Sequence, residues 1–223
     1  MQSLIQQASS YAASIDGIII LIGCFVGFWF FLVQGMFFWL IFRGRARAGV
    51  KSQYITGKEK HLKRWITWSH MLVLVCDVFI VIGAVRVWYN VKLQLPEPDA
   101  VIRVVGQQWA WVFQHPGTDN ELDTADDIFT TDTLHVQNDL TYHFKLESRD
   151  VLHDFSIPVF RLKQDAIPGR SITGWFHPTV AGSYDVQCAE ICGIGHGVMG
   201  GRVVVEDASQ HAAWIAQNSS NSQ

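Results

Sequence analysis

The chain has 223 residues, of which 49% are hydrophobic and only 17% are charged. Together with a mean hydropathy of +0.15, this composition excludes an ordinary soluble domain and indicates membrane-spanning segments. The formal net charge of −3 hides an asymmetry: residues 43–64 carry eight basic side chains and one acidic one, whereas residues 91–223 carry 17 acidic and 8 basic ones. An acidic excess of this size gives no reason to expect a nucleic-acid partner.

The first predicted element is a transmembrane helix in the uncharged stretch of 26 residues from Gly17 to Phe42. At ~1.5 Å per residue this helix would be about 39 Å long, which exceeds the ~30 Å hydrocarbon core and predicts a tilted span. A cleaved signal peptide is one alternative, but residues 1–42 contain no Lys or Arg to form its basic start. A lipidation box ending at Cys24 is another, and it fits loosely because apolar sequence continues well beyond that cysteine.

The second predicted span runs from about Trp65 to Tyr89 and includes Asp77 near its middle. An ionisable group at that depth is unfavourable unless it faces protein or water. We expect Asp77 to form a hydrogen bond with a neighbouring helix, and a proton-conducting role is the alternative. Arg86 lies near the end of the span, where its side chain can reach the membrane interface.

The charge distribution predicts the topology of the chain. Because basic loops stay on the cytoplasmic side, the loop 43–64 is predicted to be cytoplasmic and both ends of the chain to lie outside. The sequence therefore predicts an outer N-terminal tail at 1–16, a transmembrane hairpin at 17–90, an extracytoplasmic domain at 91–217 and a C-terminal tail at 218–223.

The outer part of the chain shows a strand-like pattern. Short alternating segments separated by turns predict a β-sandwich or β-barrel. The predicted strands are 101–105, 108–113, 134–136, 141–146, 172–176, 183–187 and 202–206. A closing helix is predicted from Ala208 to about Gln217, with Asp207 as its N-cap.

Five residues with potential metal ligands fall within twelve positions: Cys188, Glu190, Cys192, His196 and Met199. Thiolate and thioether sulfur stabilise Cu(I), and imidazole tolerates both oxidation states of copper, so the set suits copper better than zinc or magnesium. The glycines between these residues allow the backbone to bend so that the side chains converge.

Other chemistries explain this segment less completely. A disulfide between Cys188 and Cys192 would leave His196 without a role. A c-type haem requires Cys-x-x-Cys-His, which the spacing does not match, and structural zinc normally needs a second Cys/His pair. A mononuclear blue-copper site uses a single cysteine, whereas two coppers bridged by two thiolates would use every donor.

Two coppers require a second histidine. The candidates in the outer domain are His115, His135, His143, His153, His177 and His211. We prefer His153 because it stands where a predicted strand ends in a loop.

Three motifs resemble subunit II of the haem–copper cytochrome c oxidases. They are Ser-x-Asp-Val-x-His at 148–153, Lys-x-Asp-Ala-Ile-Pro-Gly-Arg at 163–170 and Cys-x-Glu-Ile-Cys-Gly-x-x-His-x-x-Met at 188–199, and the aromatic segment at 106–111 also matches. The resemblance covers nearly the whole chain. It implies an α+β membrane protein in which an N-terminal two-helix transmembrane hairpin precedes a cupredoxin-like Greek-key β-barrel or sandwich.

The resemblance also implies roles for individual residues. The implied ligands of a binuclear copper centre are His153, Cys188, the backbone carbonyl of Glu190, Cys192, His196 and Met199, with both cysteine sulfurs bridging the metals. Trp109 matches the tryptophan through which electrons enter, and the Glu190 side chain would reach a magnesium ion shared with subunit I. Trp111 is expected to serve in packing.

The implied function is that of subunit II of a respiratory cytochrome c oxidase. It would accept electrons from cytochrome c, or another haem c donor, and pass them to the haem centres of subunit I, supporting oxygen reduction and proton pumping. Expected partners are subunit I, subunit III and membrane lipid. We expect the donor to dock on an acidic outer face that includes some of Asp119–Asp127, Asp139 and Asp150. The expected location is a bacterial plasma membrane, with the copper domain in the periplasm or outside.

One departure from the family pattern concerns proton uptake. Many relatives have a glutamate at the start of the second helix, where this chain has His61-Leu-Lys-Arg-Trp65 with Glu59 as the nearest acid. A proton-uptake role of this subunit is therefore in doubt. The alternative functions are the copper subunit of a nitric oxide reductase and a membrane-tethered copper-binding protein.

Overall fold

The computed structural model describes residues 6–51 and 55–219, which form two compact units. Residues 16–89 form a helical unit, and residues 6–15 together with 90–219 form a β unit. Residues 1–5 of the predicted outer tail, 52–54 of the predicted cytoplasmic loop and 220–223 of the predicted C-terminal tail lie outside the described residues.

The helical unit consists of α1 (Ala12–Gly44) and α2 (Lys60–Trp88), which is followed by a π-helical turn at Tyr89–Leu93. Both helices are long and apolar enough to cross a membrane, and their apolar side chains are mostly exposed. Each extends beyond its predicted span; α2 begins at Lys60 because Lys and Arg favour helix almost as strongly as Leu does. The predicted pair of transmembrane helices is confirmed.

The β unit is a sandwich of two five-stranded sheets. Its elements are β1 (Ala100–Gln107), β2 (Ala110–His115), β3 (Ile128–Thr131), β4 (Thr133–Gln137), β5 (Tyr142–Ser148), β6 (His153–Ile157), β7 (Leu162–Ala166), β8 (Ile172–Phe176), β9 (Gly182–Cys188), β10 (Gly200–Glu206) and α3 (Ala208–Ser219). One sheet has the order β3-β2-β1-β5-β8 and the other β4-β10-β9-β6-β7. Most neighbours are antiparallel, but β1 runs parallel to β5 and β10 runs parallel to β4, as crossovers between the sheets require.

Three of these strands were not predicted from the sequence. β3 follows the acidic loop, and β6 and β7 carry little alternation of apolar and polar residues. β7 is the edge strand of its sheet, so a polar sequence such as Lys163-Gln164-Asp165 is tolerated there. His153 is accordingly the first residue of a strand and not the end of one.

The core between the sheets is rich in aromatic side chains. Phe113, Phe144, Phe155 and Phe176 are fully buried, and Trp111 packs edge-on against Phe155 with ring centroids 5.3 Å apart. Full burial of side chains of this size contributes roughly 1.5–3 kcal/mol each. The core thus supplies a rigid frame beneath the loops at one end of the sandwich, and Trp111 has the packing position expected for it.

The segment at 6–12 is built into the β unit. The amide of Ala8 donates to the Val159 carbonyl at 2.9 Å, and the Ser9 hydroxyl donates to the Phe160 carbonyl at 2.8 Å. The amide of Thr179 in turn donates to the Ala8 carbonyl at 3.0 Å. The described part of the predicted outer tail is therefore an ordered component of the sandwich.

Candidate metal centre

Strand pairing brings the two halves of the candidate site together. β6 begins with His153, β9 ends with Cys188, and the two strands are antiparallel neighbours in which Phe155 lies opposite Cys188. A loop then leads from β9 to β10, and its ends are tied by the hydrogen bond from the Cys188 amide to the Met199 carbonyl at 3.2 Å. A histidine 35 positions upstream of the cysteine segment thus reaches it through sheet topology.

The six predicted donors meet at one place. The sulfurs of Cys188 and Cys192 are 3.7 Å apart. The Cys188 sulfur lies 3.9 Å from Nδ1 of His153 and 3.3 Å from the carbonyl oxygen of Glu190. The Cys192 sulfur lies 3.7 Å from Nδ1 of His196 and 3.7 Å from the thioether sulfur of Met199. Each sulfur therefore has its own imidazole nitrogen and one further donor.

The site is enclosed and its cysteines are free. His153, Cys188, Cys192 and Met199 are all buried. A sulfur–sulfur distance of 3.7 Å is far from the ~2.05 Å of a disulfide. Within the described ranges, His153, Cys188 and Cys192 are the only group of three or more His, Cys, Asp or Glu side chains that is close enough to hold a metal.

The electrostatics of the two thiols favour a bound cation. Burial and the neighbouring Cys188 sulfur raise the pKa of Cys192 to about 11. Two thiolates this close repel each other in a site that water barely reaches, so both ionise readily only when positive charge lies between them. The donor set of two sulfurs, two imidazoles, a thioether and a carbonyl fits copper, because soft sulfur donors and imidazole serve both of its oxidation states.

Asp150 holds the His153 ring in position. Its Oδ1 accepts a hydrogen bond from Nε2 of His153 at 2.8 Å, and its Oδ2 accepts one from the Gln108 amide at 2.7 Å. Burial alone would raise the pKa of Asp150, but these hydrogen bonds outweigh it and lower the pKa. The ionised carboxylate keeps the proton of His153 on Nε2 and leaves Nδ1 available to a metal, an arrangement common around metal-bound histidines.

Trp109 connects the protein surface with the ligand loop. Its side chain is 39% exposed, and its indole N–H donates to the Cys192 carbonyl at 3.2 Å. The Gln108 amide side chain donates to the same carbonyl at 2.8 Å. The ring lies so close to the loop that a Cβ at Gly195 would be 2.4 Å from its Cδ2, which explains the need for glycine there.

A cluster of carboxylates lies on the Glu190 side of the site. Burial and a hydrogen bond with Asp165 raise the pKa of Asp154 to about 7, and the Glu190 carboxylate adds to the effect. Asp154 is buried, and nothing in the described part of the chain hydrogen-bonds its Oδ1. Oxygen-rich, anionic surroundings of this kind suit a magnesium ion. The sequence reasoning missed Asp154, although an acid directly after a candidate ligand histidine is a usable signal.

The remaining candidate histidines are occupied elsewhere. His143 bonds to the Pro96 carbonyl at 2.7 Å, and His177 bonds to the Thr141 hydroxyl at 3.1 Å. His115, His135 and His211 surround Trp214 near α3, where His135 and His211 each lie 2.9 Å from the Glu206 carboxylate. Of the six histidines considered, only His153 reaches the cysteines.

The acids of the predicted docking face lie at different distances from Trp109. The loop containing Asp119–Asp127 follows β1 from its start, where Asn120 donates to the Asp99 carbonyl at 3.0 Å, to its middle, where Asp123 pairs with Arg103 at 2.7 Å. Trp109 follows the other end of that eight-residue strand, about 25 Å from its start at ~3.3 Å per residue. Asp139, whose amide bonds to the Pro178 carbonyl, precedes β5, and the start of β5 lies beside the start of β1. The strand directions therefore place Asp139 and the start of the acidic loop far from Trp109, and Asp123 closer to it.

The surface around Trp109 is apolar instead. Ile194 is 97% exposed, and Ile191, Val198 and Leu152 are also exposed on the loops around the site. Of the predicted docking acids only Asp150 lies here, and its carboxylate is engaged with His153 and Gln108.

Comparisons with known proteins agree with the fold. The family profile described as "Cytochrome C oxidase subunit II, periplasmic domain" matches residues 100–208. The chain is 31% identical over 213 residues to the "Alternative cytochrome c oxidase subunit 2" of Bradyrhizobium diazoefficiens, covering 86% of this chain and 75% of that protein. It is 40% identical over 121 residues to the "Cytochrome c oxidase subunit 2" of Thermostichus vulcanus, covering 54% of this chain and only 34% of that protein.

A solved structure resembles the β unit. It is the periplasmic domain of subunit II of cytochrome oxidase (CoxB) of Bradyrhizobium japonicum, with a TM-score of 0.52 and 24% sequence identity, and the match covers 58% of this chain and 100% of that one. At this identity the likeness concerns the fold alone, and it confirms the expected cupredoxin-like sandwich after two apolar helices. The two apolar helices and the match to a periplasmic-domain profile fit a membrane protein whose β unit lies outside the cytoplasm.

Proposed function

Since the chain belongs to the cytochrome c oxidase subunit II family, we propose that it is the electron-accepting subunit of a haem–copper oxidase and that its β unit holds a binuclear copper centre. The observation that carries the proposal is the convergence of the Cys188 and Cys192 sulfurs, 3.7 Å apart, with two imidazole nitrogens, a thioether and a carbonyl oxygen. The ligands would be His153, Cys188, the Glu190 carbonyl, Cys192, His196 and Met199.

The distribution of donors favours two coppers over one. His153 and the Glu190 carbonyl lie beside Cys188, while His196 and Met199 lie beside Cys192. A mononuclear blue-copper site needs one thiolate, two imidazoles and a weak axial ligand, so it would leave a buried thiol and a carbonyl without a role. When bound, the copper pair supplies a one-electron redox step.

The protein's part in that step is to keep the ligands still. Asp150 fixes the ring of His153, and β6 and β9 hold His153 and Cys188 through their backbone pairing. The His196 amide donates to the Gly193 carbonyl at 3.1 Å, which pins the loop from within. Because little has to rearrange when charge changes, and because water is excluded by burial, electron transfer in such a frame is fast.

Electrons would enter through Trp109. Its partly exposed ring would meet the donor, and its N–H bond to the Cys192 carbonyl gives a short covalent and hydrogen-bonded route to the Cys192 sulfur. We propose a cytochrome c or another haem c protein as the donor. Its close contacts would be made with the exposed apolar side chains Ile194 and Val198, while the acidic excess of the β unit attracts it from a distance.

The electrons would leave towards a haem-bearing subunit I, where oxygen reduction and proton pumping take place. The Glu190 side chain would reach a magnesium ion shared with subunit I, and the carboxylates of Asp154 and Asp165 make the surroundings anionic. We also propose that the chain contacts subunit III. We place it in a bacterial plasma membrane, with the β unit on the periplasmic side. A copper-delivery protein is disfavoured because delivery requires exposed, exchangeable ligands, whereas four of the six proposed ligands are buried and His196 is half-buried.

The test is spectroscopic. We expect the purified full-length chain, loaded with copper, to bind two coppers and to give an electron paramagnetic resonance signal in which one unpaired electron is shared equally by two copper nuclei. Cys188→Ser and Cys192→Ser should abolish that signal, while Cys24→Ser and Cys76→Ser, matched changes in the helical unit, should leave it intact. A signal from a single copper in the unaltered chain would refute the binuclear proposal.

A further inference from the structure

A groove runs between the two helices of the helical unit. It has a volume of about 460 Å³ and is lined by residues one helical turn apart on each helix. The lining residues from α1 are Phe25, Val26, Trp29, Phe30, Val33 and Gln34, and those from α2 are Val73, Cys76, Asp77 and Ile80. The groove therefore combines an apolar surface with the acidic side chain at the middle of the second span.

Asp77 lies deep within the membrane-spanning segment. At ~1.5 Å per residue it is about 20 Å along α2 from Arg64 and about 14 Å from Arg86, the basic residues that flank the span. Its side chain is exposed, and in the described part of the chain no hydrogen bond or ion pair reaches its carboxyl. The indole N–H of Trp29, in the same groove, also lacks a partner among the described residues.

A carboxyl in this position requires a complementary group from another molecule. Hydrocarbon cannot donate a hydrogen bond, and an ionisable side chain that faces lipid is strongly unfavourable. A transmembrane helix satisfies its own backbone and can still present a side-chain donor, so it is the occupant that suits both the apolar walls and the carboxyl. A lipid acyl chain would fill the walls and leave the carboxyl unpaired.

We propose that this groove receives a transmembrane helix of a partner subunit, and that a hydrogen-bond donor on that helix pairs with the carboxyl of Asp77. The inference rests on the proposed function, because it takes the chain to be one subunit of an oxidase complex. It adds the surface and the residue through which the helical unit recognises its neighbour.

The experiment uses the full chain coexpressed with the haem-bearing and other oxidase subunits. The tagged chain is captured in mild detergent, and haem per captured chain is measured across a detergent series. Asp77→Leu, which removes the hydrogen-bonding group, should lower the haem retained by roughly three- to fifteenfold, the range expected for hydrogen bonds between membrane helices. Asp77→Asn, which keeps hydrogen-bonding capacity, should retain most of it. Phe79→Leu, an exposed α2 position outside the groove, is the matched control and should behave as the unaltered chain.

The results for the two Asp77 variants distinguish pairing with a partner helix from its alternatives. Equal loss in Asp77→Leu and Asp77→Asn would support the proposal with a cationic donor on the partner. Full haem retention in Asp77→Leu would overturn it, as would intact assembly with lost turnover in Asp77→Asn, which indicates a proton carrier. The copper signal, measured on the same samples, reports folding of the β unit. Its absence from the unaltered chain would count against the proposed function while leaving the assembly result interpretable.

Discussion

The indole N–H of Trp109 donates to the backbone carbonyl of Cys192 across 3.2 Å, so a partly exposed ring is bonded directly to a buried residue of the candidate metal centre. The contact exists because the loop carries glycine where the ring passes: a Cβ at Gly195 would meet the ring at 2.4 Å. The position of the tryptophan and the composition of the loop therefore depend on each other.

Gly195→Ala should displace Trp109 and slow electron input. The added methyl group cannot coexist with the ring at its present position, and misplacement by about 1 Å can cost as much as a hundredfold in rate. We expect at least a tenfold slower reduction by a haem c donor in stopped-flow measurements, with copper content unchanged. Gly197→Ala is the matched control, because a Cβ there meets nothing within 4 Å. Equal rates in both variants would rule out Trp109 as the input.

Asp150→Asn should weaken copper binding. Loss of the ionised acceptor removes the group that orients His153, and such changes typically lower metal affinity about 10- to 100-fold. Competitive titration with a copper chelator measures the effect. Asp139→Asn, an acidic position at the other end of the sandwich, should leave the affinity unchanged. If the two variants bound copper equally well, the orienting role of Asp150 would be excluded.

The apolar surface around Trp109 predicts which substitutions disturb the donor. Ile194→Ser removes the most exposed apolar contact near Trp109 and should raise KM for the donor severalfold with little change in kcat. Asp119→Asn, in the distant acidic loop, should alter only the salt dependence of the association rate. Steady-state turnover at several ionic strengths separates the two effects. A larger KM change from Asp119→Asn than from Ile194→Ser would restore the acidic face as the contact.

His115 should make the β unit less stable in acid. Burial, with smaller contributions from His135 and His211, lowers the pKa of His115 to about 3, well below its value of 6.5 when unfolded. Between these two values the unfolded chain binds a proton that the folded chain does not, so stability falls as pH drops below 6.5, by about 1.4 kcal/mol per pH unit for one such group.

The free energy of unfolding is measured by denaturant titration between pH 4 and 7, for the unaltered chain and for His115→Gln. In His115→Gln, the free energy of unfolding should no longer contain the pH dependence that His115 contributes. Asp154 acts in the opposite direction, because its raised pKa makes the folded state bind the extra proton up to about pH 7, so only the difference between the two proteins is informative. Parallel pH profiles in the two proteins would show that His115 does not titrate as inferred.

Local features were predictable from the sequence, and features that depend on distant strands were not. The spacing from Cys188 to Met199 defines a loop that closes on itself, so its donors could be grouped without a structure. The residues alone favoured His153 only weakly, and the family resemblance was needed to select it, because its approach to Cys188 depends on the pairing of β6 with β9. Non-local pairing of the same kind determines how far each part of the acidic loop lies from Trp109.

Polar strands and buried polar residues were the other features in which the structure differs from the sequence-based prediction. β7 has no apolar alternation because it is an edge strand, and Asp154 is buried although it is acidic. A hydrophobicity pattern predicts neither the edge strand β7 nor the burial of Asp154, because each depends on which parts of the folded chain are its neighbours.

The hydrogen bonds of Ala8 and Ser9 have a consequence for biosynthesis. The Ser9 hydroxyl and its acceptor, the carbonyl of Phe160, are separated by 151 positions, and Thr179 is farther still along the chain. During synthesis, Ala8 and Ser9 must remain without these partners until residues 159–179 have been made. Until then the sandwich stays open at this edge, so completion of the β unit depends on segments that are synthesised far apart in time.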